Sequence, residues 1–295
     1  MSDQQTVGST VIIPSYNRPD RLERCLKAVM AQEDRDFEVV VVDDGSSTPL
    51  AEICSRFGPQ VRCIRQENAG AGLARNRGVV EARAEFLAFT DDDCLPRPDW
   101  LGKLRVAHAG DPSRLVGGYV VNGLPDNIYS STSQDLCDYI YEYFGASEGR
   151  ISFFTTNNMG CSKDAFLAID GFDPTFPGAG AEDRDFGMRW RESGRHLHYV
   201  PDALVDHYHH MSFASFLRQH RNYGRGARIL HKQLNKRNSP TPKVEPFRFY
   251  RELVLWPLRK YGLAGARQSF LMGLTQVAMI AGYGKSILDE RRGAL

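Results

Sequence analysis

The chain reads as an α/β protein: a mostly parallel central sheet with helices on both faces, followed by a helical C-terminal extension. Three observations predict this. Short, near-continuously apolar and β-branched runs alternate with helical patterns through the first half, as in a parallel sheet covered on both faces. At about 150 residues per domain, the 295 residues allow one large α/β domain or two smaller ones. A composition of 42% hydrophobic and 25% charged residues excludes a disordered, collagen-like or coiled-coil chain. Charge is also divided unevenly. Residues 1–210 hold 21 Lys+Arg against 32 Asp+Glu and residues 211–295 hold 16 against 4, so the net +1 conceals a body of −11 and a tail of +12. Such a division suits a body that holds a cation and a tail that meets an anionic surface.

The elements follow in order. Thr10–Pro14 (TVIIP) is the first predicted strand, with Asp20–Gln32 as its helix. Phe37–Val42 (FEVVVV) pairs with a helix over Pro49–Phe57, and Val61–Arg65 with one over Gly70–Arg83. Glu85–Thr90 (EFLAFT) is the fourth strand, and Pro96–Trp100 has the look of a helix start. Ligands of such sheets bind beyond the C-terminal strand ends, where the strand order reverses. The residues there are Pro14-Ser-Tyr-Asn-Arg18, Asp43-Asp-Gly-Ser-Ser47, Glu67-Asn-Ala-Gly70 and Asp91-Asp-Asp93, which gather polar and acidic groups at one edge.

From Tyr119 to Tyr199 the pattern is mixed, with aromatic-rich Tyr139–Phe144, a Gly/Pro loop at Pro177–Gly180 and a helix from Glu182 to about Ser193. Beyond His210 the chain is helical and basic, with Arg218, Arg221, Arg225, Arg228 and Lys232 at three- and four-residue steps and a linker at Asn238–Lys243. The 17 residues between Arg267 and Lys285 carry no charge and fall short of a membrane span. The start, Met1–Thr6, is polar and unlike a signal peptide. Six cysteines lie far apart with no CxxC pair, so a reducing, cytoplasmic setting is expected rather than a disulfide framework or structural zinc.

Each candidate residue has two readings. Asp91 and Asp93, two apart on a segment read as extended, would point their carboxylates the same way and suit Mg²⁺ or Mn²⁺. Equally, they could cap the helix that follows. Asp43 and Asp44, before Gly45-Ser46, serve either a turn and N-cap or the base and ribose of a nucleotide. Arg75 and Arg77 are solvated helix charges or guanidinium groups for a diphosphate. Asp185 and Arg189 form an ordinary i,i+4 pair, which leaves Glu182 and Asp183 for a proton-accepting role. His207 and His209 would share a face of an extended segment, where either could complete an oxygen-rich metal site.

In this order, VIIPSYNR, VVVDDGS, ENAGAGLARNRG, FTDDD and GAEDRDFGMRW resemble the successive blocks of family 2 glycosyltransferases over residues 9–210, and NNMGCSKDAFLAIDGFD resembles the segment before the catalytic helix. The resemblance implies a GT-A, Rossmann-like fold over residues 1–210, with a nucleotide-binding half (1–118) and an acceptor-binding half (119–210). Residues 211–295 would form the basic helical region. It further implies inverting transfer from a nucleoside-diphosphate sugar, a UDP-sugar being the expected donor, to a hydroxyl of a glycan or lipid-linked acceptor. Pro14, Tyr16, Asp43 and Asp44 would hold base and ribose, Arg75 the diphosphate, and Asp91 and Asp93 the divalent cation, Mn²⁺ or Mg²⁺, with His207 as a further ligand. Asp92, at the variable position of the motif, would join the nucleotide-sugar contacts. Asp183 would be the general base, and Glu182 and Asn158 would touch the acceptor. Arg218-Gln-His-Arg-Asn-Tyr223 only loosely echoes the Gln-x-x-Arg-Trp motif of processive members, so addition of a single sugar is expected.

Two rivals stand beside this reading. A nucleotidyltransferase would need a Gly-rich loop with Lys or Arg after the first strand, where this chain has Pro-Ser-Tyr-Asn. A non-catalytic binder of nucleotide or nucleic acid would find phosphate-gripping arginines in the tail but no recognised reading module, so no nucleic-acid partner is expected. The tail would dock on the anionic inner face of the plasma membrane, pack on the catalytic domain, or bury its apolar faces against a second copy in a homodimer.

Overall fold

The computed structural model describes residues 7–148, 150–176, 180–242 and 244–292. Four strands form the parallel half of an eight-stranded sheet: β1 (Ser9–Ser15), β2 (Phe37–Asp43), β3 (Val61–Arg65) and β4 (Phe86–Phe89). Between them run α1 (Pro19–Met30), α2 (Ala51–Ser55) and α3 (Ala71–Glu81). Every residue of β1 and β2 is buried, which is why both strands are so rich in valine and isoleucine. Proline occupies the first turn of α1, and Leu22, Cys25, Leu26 and Val29 recur at helical spacing to form its buried face. A Cβ on Gly78 of α3 would come within 2.5 Å of Ile12 Cγ2, so glycine is what lets this helix lie against β1.

The second half of the sheet is antiparallel. β5 (Cys94–Pro96), α4 (Trp100–Ala109), β6 (Arg114–Asn122), β7 (Met159–Ser162), α6 (Lys163–Leu167), α7 (Glu182–Glu192) and β8 (His196–His207) belong to it, with α5 (Ile128–Tyr143) between β6 and β7. The strand order is β3-β2-β1-β4-β7-β6-β8-β5, and β7 runs antiparallel to β4 and β6, as β5 does to β8. The chain passes outward from β1 to β2 and β3, then returns to place β4 on the other side of β1. This reversal makes the C-terminal ends of β1 and β4 the expected ligand-binding crevice. The main core lies beneath it, where Val11, Ile13, Leu26, Val39, Trp100 and Leu104 pack together.

Two expectations are corrected. The segment after β4 is not extended: Cys94 N–H donates to Asp91 C=O at 3.0 Å, closing a turn over Asp91–Cys94, so strand alternation does not align Asp91 with Asp93. The helix start at Pro96–Trp100 is in part a strand, since Pro96 ends β5 and α4 begins only at Trp100.

The chain divides into two compact units, one of Met1–Val121, Ala146–Gly178 and Asp183–Tyr208, the other of Asn122–Gly145, Ala179–Glu182 and His209–Leu295. The sheet lies in the first. In the second, α5 is joined by α8 (Phe213–Lys236), α9 (Phe247–Tyr261) and α10 (Ala266–Arg291). Ser212 caps α8 through a reciprocal capping box with Ser215. The expected linker at Asn238–Lys243 falls between α8 and α9, apart from Lys243, which lies outside the described residues. α8 and α10 approach backbone to backbone: a Cβ on Gly224 would sit 1.9 Å from Met279 O, and one on Gly282 1.9 Å from Arg221 O. Leu136, Tyr139, Phe249, Leu253 and Met272 form the core that ties α5, α9 and α10 together. Among the described residues, no helix is long and apolar enough to cross a membrane.

Candidate active site

The site grows from the ends of β1 and β4. The Ser15 hydroxyl donates to Asp92 Oδ2 at 2.7 Å, joining the two strand ends across the sheet. Arg18 Nη1 lies 3.1 Å from Asp92 Oδ1 and 3.5 Å from Asp93 Oδ2, and Arg21 Nη1 lies 3.2 Å from Asp93 Oδ2. Burial, with Asp93 beside it, pushes the Asp92 carboxyl up to about 6, although Arg18 and Ser15 favour its charged form. Asp91 pairs instead with Arg75 Nη2.

Arg75 is the most informative side chain of the site. It is 2% exposed, stands over the Phe172 ring with its guanidinium carbon 5.8 Å from the centroid, and ion-pairs with Asp91. Its Nε and Nη1 are buried without a hydrogen-bond partner among the described residues. Buried donors are ordinarily paired, so a guanidinium with two idle N–H directions marks a place for an anion. The neighbouring Asn76 fixes Phe172 from both sides: its Nδ2 donates to Phe172 C=O at 2.8 Å, and its Oδ1 accepts from Phe172 N–H at 2.9 Å.

Asp183 lies at the second position of α7. Burial raises its carboxyl above the ordinary aspartate range, against the opposing pull of Arg184, its own backbone contact with Arg184 N–H, and Arg75. A carboxylate so placed is a better proton acceptor than one in water. In the same helix Arg189 Nε donates to Asp185 Oδ2 at 2.7 Å, the expected i,i+4 pair. Glu182 belongs to the other unit and accepts the Gly180 N–H through Oε2 at 2.6 Å. Residues 177–179 of the expected Gly/Pro loop lie outside the described residues.

Asp93, Cys94 and His207 offer ligand atoms that all lie within 4.8 Å of one another, and His207 Nε2 is 3.3 Å from Asp93 Oδ1. Burial, with Asp93 close by, pushes the Cys94 thiol far up, so it stays protonated and is a poor ligand. What remains is a carboxylate and an imidazole, a donor set that fits Mn²⁺ or Mg²⁺ with oxygen ligands from elsewhere. Asp91 is not in this group, because the turn directs it to Arg75. His209 lies beyond the end of β8, and its Nε2 is 2.9 Å from Gln219 Oε1.

The predicted nucleotide contacts occupy the neighbouring strand ends. Tyr16, 46% exposed, follows the end of β1, and Pro14 is buried within it. Asp43 Oδ1 accepts from Ser46 N–H at 2.9 Å and Oδ2 from Leu50 N–H at 3.2 Å and Arg65 Nη1 at 2.8 Å. Burial works against its charge, yet these hydrogen bonds and Arg65 hold its carboxyl below the usual range. Asp44 receives Gln66 Nε2 at 2.8 Å and the backbone N–H groups of Ala69 and Gly70 at 2.9 Å each. Both aspartates thus build the turn that carries them.

Asn158 lies away from any accessible surface. Fully buried, it accepts from Trp100 Nε1 at 2.8 Å and donates to Tyr119 C=O at 3.0 Å and Ala203 C=O at 2.9 Å. It ties strands together and exposes no atom for an acceptor contact. Ser15 and Arg18 belong to the strand-end segment that the sequence places at the site, without a role, whereas Arg21 and Asn76 have no place in that reading. Arg21 carried a readable signal: a cation in the first turn of a helix opposes the dipole and calls for a fixed anionic partner.

Comparison with known proteins identifies the family and the fold. A family model described as "Glycosyl transferase family 2" matches residues 10–169, and one described as "N-terminal domain of galactosyltransferase" matches residues 141–212. The chain is 30% identical over 226 residues to the pre-mycofactocin glycosyltransferase of Mycobacterium tuberculosis, covering 74% of this chain and 46% of that protein. It is 30% identical over 224 residues to the validoxylamine A glucosyltransferase of Streptomyces hygroscopicus, covering 65% of this chain and 52% of that protein. The chain thus spans about half the length of these curated relatives. A solved structure of the mannosyltransferase PcManGT from Pyrobaculum calidifontis, in complex with GDP-Man and Mn²⁺, shares the fold with a TM-score of 0.64 at 18% identity, covering 99% of this chain and 80% of that one.

Proposed function

The chain belongs to glycosyl transferase family 2, and from that premise we propose that it moves a sugar from a nucleoside-diphosphate donor to a hydroxyl acceptor with inversion at the anomeric carbon. The observation that carries the reading is Arg75, a buried guanidinium with two idle N–H directions, ion-paired to Asp91 and acting electrostatically on Asp183. Both nitrogens are closed to solvent in this structure, so a diphosphate reaches them when the side chains packed around Arg75 move aside. Pro14, Tyr16, Asp43 and Asp44 hold the base and ribose, and Asp92 braces the strand ends through Ser15 and Arg18. Asp183 takes the proton of the acceptor hydroxyl as its oxygen attacks the anomeric carbon. The bond from that carbon to the diphosphate oxygen breaks on the opposite side, and the electron pair leaves with the nucleotide.

Asp93 and His207 would hold a divalent cation, which when bound supplies Lewis-acid stabilisation of charge on the leaving diphosphate. Three carboxylates, Asp91, Asp92 and Asp93, already face three guanidinium groups, Arg75, Arg18 and Arg21. With that balance in place, cation and diphosphate neutralise each other and bind together more readily than either alone. The expected acceptor is a glycan or lipid-linked intermediate at the inner face of the membrane.

Asp183→Asn tests the role of the base. It keeps the size of the side chain and removes its proton affinity, so transfer falls by about 10²–10⁴-fold while donor binding, read by calorimetry, is retained. Unchanged turnover in this variant contradicts the assignment.

A further inference from the structure

The outward face of α10 is patterned the wrong way round for a helix in water. Phe270, Val277, Ile280 and Leu288 recur on one side and are 69, 62, 73 and 52% exposed. Gly273 and Gly284 share that side, and a Cβ added to either would meet nothing within 4 Å. The opposite side buries Thr275 and Ser286 beside Leu271 and Met272. Small polar residues thus lie inside, where Thr275 satisfies its hydroxyl on Met272 C=O at 2.7 Å, while large apolar ones lie outside. Scattered exposed apolar side chains are ordinary, but a row along one helix marks an interaction surface.

The row is continuous with other apolar features of the same unit. Leu263, in the short turn before α10, is 92% exposed. Phe270 also lines an open hollow of about 670 Å³ with Ile128, Tyr129, Phe213 and Leu271, and Arg267 lies at the same hollow. Arg267 precedes the uncharged stretch and Lys285 follows it; of the two carboxylates before Arg291 and Arg292, Asp289 lies 3.7 Å from Lys285 and Glu290 pairs with Arg228 and Lys232. Residues 211–295 carry 16 basic against 4 acidic side chains.

We propose that this face of α10 lies in the interface of an anionic lipid bilayer, with Phe270, Val277, Ile280 and Leu288 among the acyl chains and Arg267, Lys285, Arg291 and Arg292 on the headgroup phosphates. Charge selects this occupant over a second copy of the chain. Two copies would bring together units that each carry 16 basic against 4 acidic side chains over residues 211–295, whereas anionic headgroups neutralise that surplus. Hydropathy selects lying over spanning: α10 has 26 residues, yet no described helix is both long and apolar enough to cross.

The test is co-sedimentation of the full chain with phosphatidylcholine vesicles, with and without phosphatidylglycerol. Wild type should partition at least ~10-fold more strongly onto the anionic vesicles and lose that preference at high salt. The triple variant Phe270→Ser, Val277→Ser, Ile280→Ser should lose at least ~10-fold of the binding with an unchanged melting temperature, since all three side chains are solvent-facing. Phe270→Trp provides a second readout that leaves the fold undisturbed: its emission should shift to the blue on anionic vesicles and be quenched by brominated lipid. Equal pelleting of wild type and triple variant overturns the proposal, as does Phe270→Trp emission that vesicles leave unmoved. So does a dimer in sedimentation velocity that the triple variant abolishes while vesicles bind neither protein.

Discussion

Arg75 shows how a single side chain can be sound in its packing and unfinished in its chemistry. Its ion pair with Asp91 and its place over Phe172 account for its burial, but two of its N–H directions remain idle. Charge-assisted hydrogen bonds to phosphate are worth about 1.5–3 kcal/mol. Arg75→Gln should therefore weaken nucleoside-diphosphate binding by roughly tenfold to a hundredfold in calorimetry and leave binding of the bare nucleoside unchanged; an equal loss for both ligands would assign Arg75 to the scaffold. Arg75 could be picked out in the sequence as a cation early in the helix that follows the strand-end segment Glu67–Gly70. Asn158 was legible only by resemblance, and resemblance does not reveal that Trp100, Tyr119 and Ala203 have already taken its amide. Arg18 and Arg21 act through partners some seventy positions away, a pairing that spacing along one chain cannot show.

At the scale of elements, the parallel half of the sheet was readable because its strands are buried on both faces and so are apolar throughout. β6 and β8 were not, since half-exposed antiparallel strands mix polar and apolar residues without a clean alternation, as the burial pattern of β8 illustrates; β7 is wholly buried, but its four residues, Met-Gly-Cys-Ser, contain no β-branched residue to mark a strand. The Asp91–Cys94 turn was missed for a different reason: three aspartates after a strand fit an extended run and a turn equally well. Helix α8 carries a prediction of its own. His220 is fully buried, edge-on to the rings of Phe216 and Tyr223, and burial depresses its pKa from 6.5 to about 4. The unfolded chain then binds the proton more readily than the folded one, so stability is complete above the unfolded value and is lost as pH falls toward 4. The shift corresponds to about 3 kcal/mol. Denaturant midpoints measured from pH 7 to pH 4 should fall steeply in wild type and less so in His220→Gln; parallel profiles would show that His220 does not titrate on unfolding.

Across the whole molecule, the division of charge read from composition has a structural counterpart. The acidic body contains the sheet whose strand ends gather the aspartates, and the basic tail contains α8, α9 and α10 of the second unit. Within the site, three aspartates balanced by three arginines leave no surplus charge for a cation or an anion to meet alone. That balance makes joint binding of metal and nucleoside diphosphate the central expectation. The most direct measurement is thermal stability with UDP, GDP, dTDP and CDP, each with and without Mn²⁺, on wild type and Asp93→Ala. The predicted result is stabilisation by one nucleoside diphosphate only when Mn²⁺ is present, lost in Asp93→Ala. Stabilisation that is indifferent to Mn²⁺ and to Asp93, or none with any nucleotide, would contradict it.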